Sequence, residues 1–244
     1  MRRWLSLACA ALVLAACTPT APQQTVTVLA LSAAVSAVQS SNALLPARSG
    51  ATPSSAIQTT APDVPEGWVD GERLGSPDAP VVVQVWSDFL CPACQAFAQT
   101  VQPQLIDQYV TPGMVRLEYL YFPLQQHEPA ATRAALAGAC AAEQNRFWEY
   151  EQLLMGSLRK QGMSALKDAH FDERLVDLAA SLGLDVDAFN LCLAEDKYAG
   201  KVAQSVEDAT TAQVLFVPQV VVNGVTLQDY SFTAMQKEIE RQLP

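Results

Sequence analysis

The chain is short of histidine, of basic residues and of long apolar runs. Its 244 residues hold two histidines and 15 Lys+Arg against 25 Asp+Glu, a net charge of −10. That balance argues against a nucleic-acid partner, because phosphate contacts need clustered basic side chains. His127 and His170 share no finger-like spacing with the cysteines, so no metal is expected. No internal repeat is visible. The one conspicuous apolar run, Trp4 to Ala16, is shorter than the roughly 20 residues a permanent membrane span requires.

What is present is organised by export and sulfur. Arg2 and Arg3 followed by that apolar run read as a secretory signal over residues 1–16. Leu14-Ala15-Ala16-Cys17 resembles a bacterial lipobox, which predicts cleavage before Cys17 and lipid on its sulfur; the alternative is an ordinary cleaved signal with Cys17 incidental. Residues 17–67, rich in Ala, Ser, Thr, Pro and Gln, read as a low-complexity tether. Val28, Leu31, Val35 and Val38 fall at helical spacing within it, as a short helix that is marginal on its own. Residues 68–244 suffice for one hydrophobic core. Losing Arg2 and Arg3 takes Lys+Arg from 15 to 13 against 25 acids, a charge of −12. The chain is therefore expected outside the cytoplasm, lipid-anchored at the cell envelope, where cysteines can be oxidised.

Cys91-Pro92-Ala93-Cys94 carries the chemistry. It follows a buried-strand pattern, Val81 to Trp86, and opens a helical one. The i, i+3 spacing puts both sulfurs on one helical face, close enough to join. Pro92 suits the first helical turn, and the free N–H groups there favour a thiolate on Cys91. Cys94 lies one turn deeper. A second strand is predicted over Val115 to Phe122, after a helix kinked at Pro103 that turns Phe97, Val101, Leu105 and Tyr109 inward. From about 129 to 212 the chain reads as successive helices, with Asp172 as an N-cap and Gly183 as a stop. Strand character returns at Gln219–Val222, Asn223-Gly224 turns a hairpin into Val225-Thr226-Leu227, and a last helix buries Phe232, Met235 and Ile239. The fold class is α/β, a small sheet interrupted by a helical insertion.

This order of elements, with Trp86-Ser87-Asp88-Phe89-Leu90-Cys91-Pro92-Ala93-Cys94 and Val217-Pro218 before the hairpin, resembles the DsbA-like branch of the thioredoxin superfamily. Phe147-Trp148-Glu149-Tyr150 with Leu153-Leu154, and Leu182-Gly183-Leu184-Asp185, resemble its helical insertion. The resemblance implies a thioredoxin fold with an inserted helical subdomain, catalytic Cys91 and Cys94, an active-site loop through Pro92 and Ala93, and a cis Val217-Pro218 peptide beside Cys91. It implies an extracytoplasmic dithiol oxidase acting on reduced exported proteins. A membrane quinone-linked reoxidase of the DsbB or vitamin K epoxide reductase-like kind would regenerate it. The sulfurs do the chemistry, so no cofactor is needed. A reductase or isomerase, and a non-catalytic peptide-binding chaperone, are the rival readings.

Two departures from the family stand out. Val85 occupies the place where many relatives carry a buried acid that relays the proton of the deeper cysteine, here Cys94; Gln84 should point to the other strand face. Ala93 stands where the strongest oxidases carry His, so the Cys91 pKa is expected between the free-thiol value of about 8.5 and the lowest values of about 3.5. Cys140 and Cys192 sit in two predicted helices of the insertion; they are read as a structural disulfide, with buried free thiols or a second redox pair as alternatives. His127 is expected as a solvated loop histidine, with an approach to the active-site rim as the alternative, Trp148 and Tyr150 as core, and Asp88 as an acceptor fixing the loop before Cys91.

Overall fold

A computed structural model describes residues 62–244. The expected signal, the expected lipid site at Cys17, the expected 28–38 helix and nearly all of the expected tether lie outside those residues. Six strands form one mixed sheet in the order β1-β2-β4-β3-β5-β6. At its centre β3 (Val81–Ser87) and β4 (Val115–Tyr121) run parallel, Val85 opposite Tyr119 and Ser87 opposite Tyr121. β5 (Gln219–Val222) joins β3 antiparallel, and β6 (Val225–Thr226) closes the hairpin. Asn223 and Gly224 both take positive φ, 43° and 82°, which is what a two-residue primed turn demands. Asn223 also caps the sheet from its side chain, accepting from Val82 N–H at 2.8 Å. The strands β1 (Val69–Asp70) and β2 (Arg73–Leu74) add an antiparallel edge that the sequence pattern does not reveal.

Alternation along β4 is regular: Val115, Leu117, Tyr119 and Tyr121 are buried and the residues between are half-buried. Gln84 lies on the face opposite Val85 and donates to Glu118 at 3.0 Å.

The crossover from β3 to β4 is α1 (Pro92–Thr100), α2 (Gln102–Leu105) and a π turn at Ile106–Val110. The break falls at Val101, beside Pro103, which lacks the N–H that would carry the ladder through. Five helices follow: α3 (Ala130–Glu143), α4 (Phe147–Gln161), α5 (Phe171–Ser181), α6 (Val186–Ala194) and α7 (Ala199–Thr211). α3 is buried nearly all round, and its alanines let α4, α5, α6 and α7 approach it. At Gly138 any Cβ would meet the Phe89 ring at 2.8 Å, so glycine there admits the ring ahead of the active-site loop. α4 packs on both α3 and α1, which seats the insertion against the helix that carries the cysteines. α8 (Phe232–Gln242) covers the sheet through buried Met235 and Ile239, with Phe232 half-buried.

The helix expected to be capped by Asp172 starts two residues earlier, at Phe171 after His170; Asp172 instead accepts two hydrogen bonds from Arg133 Nε and one from Nη2. A tertiary charge partner outbid the local cap. Gly183 follows the helix end with φ 73°, the left-handed position glycine tolerates.

Candidate active site

Cys91 occupies the N-cap position of α1 with extended backbone, and Pro92 takes the first turn. Its thiol is 8% exposed, while Cys94, one turn on, is 1% exposed; both are free thiols here. The two sulfurs are electrostatically unequal. A hydrogen bond from Cys94, with backbone N–H groups of Cys94 and Ala93, stabilises the Cys91 thiolate and brings its pKa down to about 6, against the opposing effects of burial and Asp88. Burial first, and then the nearby Cys91 sulfur, push the Cys94 thiol far above its ordinary value. The arrangement yields one ready nucleophile or electrophile near the surface and one protonated thiol beneath it.

The peptide between Val217 and Pro218 is cis, and the Cys91 thiol donates to the Val217 carbonyl at 3.7 Å. Directly before it, Leu215 is 86% exposed and Phe216 40% exposed. A small apolar cleft of about 60 Å³, lined by Leu90, Pro92, Leu158, Ala165 and Leu166 among others, opens beside α1. Apolar surface therefore borders the loop and the cis turn.

Asp88 does accept backbone N–H groups, from Leu90 at 2.8 Å and Leu124 at 3.2 Å. It also holds His127, whose Nδ1 lies 2.6 Å from Asp88 Oδ2. His127 is thus buried at 5% exposure rather than solvated, a correction to the loop-histidine expectation. The pairing spans 39 residues and no local pattern announces it. Burial raises the Asp88 carboxyl above its usual range, opposed by the His127 contact and the two N–H groups. A second cis peptide, Glu128-Pro129, follows directly and was also silent in the sequence.

Val85 is buried among apolar side chains. The position that the family resemblance assigns to a buried acid therefore carries no proton-exchanging group. A carboxyl does lie in the neighbouring interior: Glu151 of α4 is 0% exposed, and burial pushes its pKa up to about 8 against one favourable hydrogen bond from Gln102. Sequence reasoning missed it, although Glu151 stands one helical turn after Phe147, on the same inward face.

Cys140 of α3 and Cys192 of α6 form a disulfide between two helices of the insertion, 52 residues apart in sequence. No cluster of three or more metal-ligating side chains occurs among the described residues. Trp148 and Tyr150 are core residues, Tyr150 donating to the Leu175 carbonyl at 3.0 Å.

Comparison with known proteins agrees with this geometry. Over 163 residues the chain is 37% identical to a Na(+)/H(+) antiporter NhaA 3 of Salinispora tropica, covering 64% of this chain and only 22% of that protein. It is 29% identical to a probable disulfide bond formation protein D of Bacillus anthracis over 174 residues, 70% of this chain and 78% of that one. Oxidised BdbD of Bacillus subtilis superposes with a TM-score of 0.63 at 20% identity, covering 71% of this chain and 92% of that chain. Oxidised DsbA of Mycobacterium tuberculosis superposes with a TM-score of 0.57 at 25% identity, covering 72% and 95%. A family model described as Thioredoxin matches residues 69–241. Most of the chain lies within that match, and the chain belongs to the thioredoxin family.

Proposed function

We propose that the chain is an extracytoplasmic dithiol oxidase that introduces disulfides into exported proteins through Cys91 and Cys94. The observation that carries this reading is the inequality of the pair, a Cys91 thiolate favoured down to about 6 above a buried, protonated Cys94. A thiolate that stable is a good leaving group, which makes the joined Cys91–Cys94 disulfide oxidising. A substrate thiolate attacks Cys91, the bond to Cys94 breaks, and a second substrate thiol then displaces Cys91 and takes the disulfide. Two electrons pass from the substrate to the pair. The apolar cleft by Leu90 and Leu158, with Leu215, Phe216 and the Val217 carbonyl, suits an extended, unfolded client segment.

Reoxidation is assigned to a membrane quinone-linked enzyme of the DsbB or vitamin K epoxide reductase-like kind. Lipid on Cys17 would hold the domain at the envelope on the 17–67 tether. The Bacillus anthracis relative, a probable disulfide bond formation protein D, points the same way. Cys140–Cys192 is the structural staple of the insertion.

Reduced, unfolded protein with a known disulfide provides the test. The oxidised chain should regenerate its disulfide stoichiometrically, and Cys91→Ser should abolish this. No regeneration by the oxidised chain would sink the proposal. Ala93, which adds no charge to the loop, keeps a reductase reading in view, and the glutathione equilibrium decides the direction. A potential of about −120 to −180 mV marks a disulfide donor or isomerase, and about −270 mV a reductant.

A further inference from the structure

The turn Asp88-Phe89-Leu90-Cys91, which delivers the nucleophilic sulfur, is fixed residue by residue. Cys91 N–H donates to the Asp88 carbonyl at 3.1 Å, and Leu90 N–H donates to Asp88 Oδ1 at 2.8 Å. Asp88 therefore folds its carboxylate back over its own turn. Phe89 is held twice, its carbonyl accepting from the Gln95 amide at 2.9 Å and its ring packing on Tyr119 and Phe147. The other carboxylate oxygen, Asp88 Oδ2, engages the segment after β4. Leu124 N–H donates to it at 3.2 Å, and His127 Nδ1 lies 2.6 Å away. A carboxylate only accepts, so Nδ1 carries the proton of that contact.

A neutral side chain could close the same turn. Asparagine accepts from the N–H two residues on as aspartate does, without the desolvation cost of a buried charge. Here carboxylate and imidazole are both buried, and the carboxylate stands inside the turn that ends on a thiolate. Like charges so close oppose one another, and Asp88 disfavours the Cys91 thiolate. The imidazole acts in the reverse sense. Donating to Oδ2, it draws the carboxylate's charge away from the sulfur. The turn sets the position of the charge, and a histidine 39 residues along the chain sets its balance.

We propose that Asp88 and His127 act together as a governor on Cys91: the aspartate limits how strongly the cysteine pair oxidises, and the histidine sets how far that limit reaches. The inference rests on the oxidoreductase reading above. The more stable the Cys91 thiolate, the more readily the disulfide passes to a client and the harder the dithiol is to reoxidise. A carboxylate in the turn moves the pair towards easy reoxidation, and the hydrogen bond from His127 moves it back. The titratable groups facing Asp88 are His127 from the segment after β4, Cys91 and Cys94 from the start of α1, and Tyr119 from β4. Asp88 and His127 act on the sulfur through the turn and through charge, so both are positioning residues and not catalytic ones.

Two substitutions in the full chain test this. The readouts are the pH titration of iodoacetamide labelling at Cys91, resolved by peptide mass, and the glutathione equilibrium of the pair. Asp88→Asn keeps the acceptor for Leu90 N–H and removes the charge. The Cys91 midpoint should fall by about one pH unit and the pair become about tenfold more oxidising, a rise of about 30 mV. His127→Phe keeps a ring and removes the donor, while the Leu90 and Leu124 N–H groups still hold the carboxylate ionised. Its midpoint should rise by about one unit and its pair become about tenfold less oxidising. With Asp88→Asn already in place, His127→Phe should add less than about twofold. A merely structural staple would not give opposite signs, since loosening the turn shifts both variants the same way. Shifts of one sign, or no shift in either variant, overturn the governor. If His127→Phe does not fold, Asp88→Asn decides alone, and an unchanged or raised midpoint refutes the proposal. A wild type that cannot pass its disulfide to a client removes the function reading instead, while the Cys91 midpoints still judge the governor, which separates the two failures.

Discussion

The two cysteine pairs of this domain show how position, rather than compartment, decides what a disulfide is for. Cys91 and Cys94 sit three residues apart at the start of one helix, Cys91 8% and Cys94 1% exposed, with N–H groups and each other as electrostatic neighbours. Cys140 and Cys192 lie inside two different helices, each nearly fully buried in the insertion, and join elements 52 residues apart. The first pair gains little chain entropy from closing so short a loop and much redox asymmetry from the helix end. The second closes a long loop and has no helix N-terminus to stabilise a thiolate. One pair is suited to exchange and the other to restraint.

The comparison breaks most visibly at Cys91. Cys91→Ser should lower client oxidation by at least about a thousandfold, since the nucleophile is lost, while thermal melts hardly move. Replacing Cys140 and Cys192 together by Ala should do the reverse, with activity kept at moderate temperature and stability reduced by about 2–4 kcal/mol in urea titration. Substantial activity loss in the folded double variant would turn the insertion pair into a redox participant. Glu151 offers a contrast in sign. Its carboxyl is raised to about 8 in the fold, so its contribution to stability is present below the unfolded value near 4.5 and is lost as pH rises through about 8. Glu151→Gln should therefore be more stable than the wild type above about pH 8, by about 2–4 kcal/mol. Gly138→Ala, which drives a methyl into Phe89, should cost about 1–3 kcal/mol. The gentlest probe is iodoacetamide on the reduced chain, where Cys91 should react with a midpoint near pH 6 and Cys94 should stay unmodified. Equal labelling of both sulfurs would erase the asymmetry on which the contrast stands.

Much of the fold was legible because its signals are local. The apolar run at Val81–Trp86, the Cys91 helix start, the Asn223-Gly224 turn and each of the successive helices read from about 129 to 212 fit within a short window. β1 and β2 were not legible, since two-residue strands hold no period to detect. The site divided along the same line. Cys91 and Cys94 announce themselves by spacing and Val217-Pro218 through the family resemblance, and the structure brings the Cys91 thiol to the Val217 carbonyl. Asp88 with His127, and Gln102 with Glu151, come together only across the fold, so an acid in Trp148-Glu149-Tyr150-Glu151 reads as solvated until packing shows otherwise. Asp172 erred the other way, a plausible local cap claimed by Arg133 from another helix.

The unequal depth of the two active-site sulfurs has a consequence for errors. A dithiol open on both sides can be caught by a stray thiol at either atom, so which thiol must do the expelling is not fixed in advance. With Cys94 at 1% exposure, every adduct forms on Cys91, and every adduct faces an internal thiol able to eject it. Burial thus acts as an escape clause, giving the domain a built-in limit on how long it can stay bound to the wrong guest.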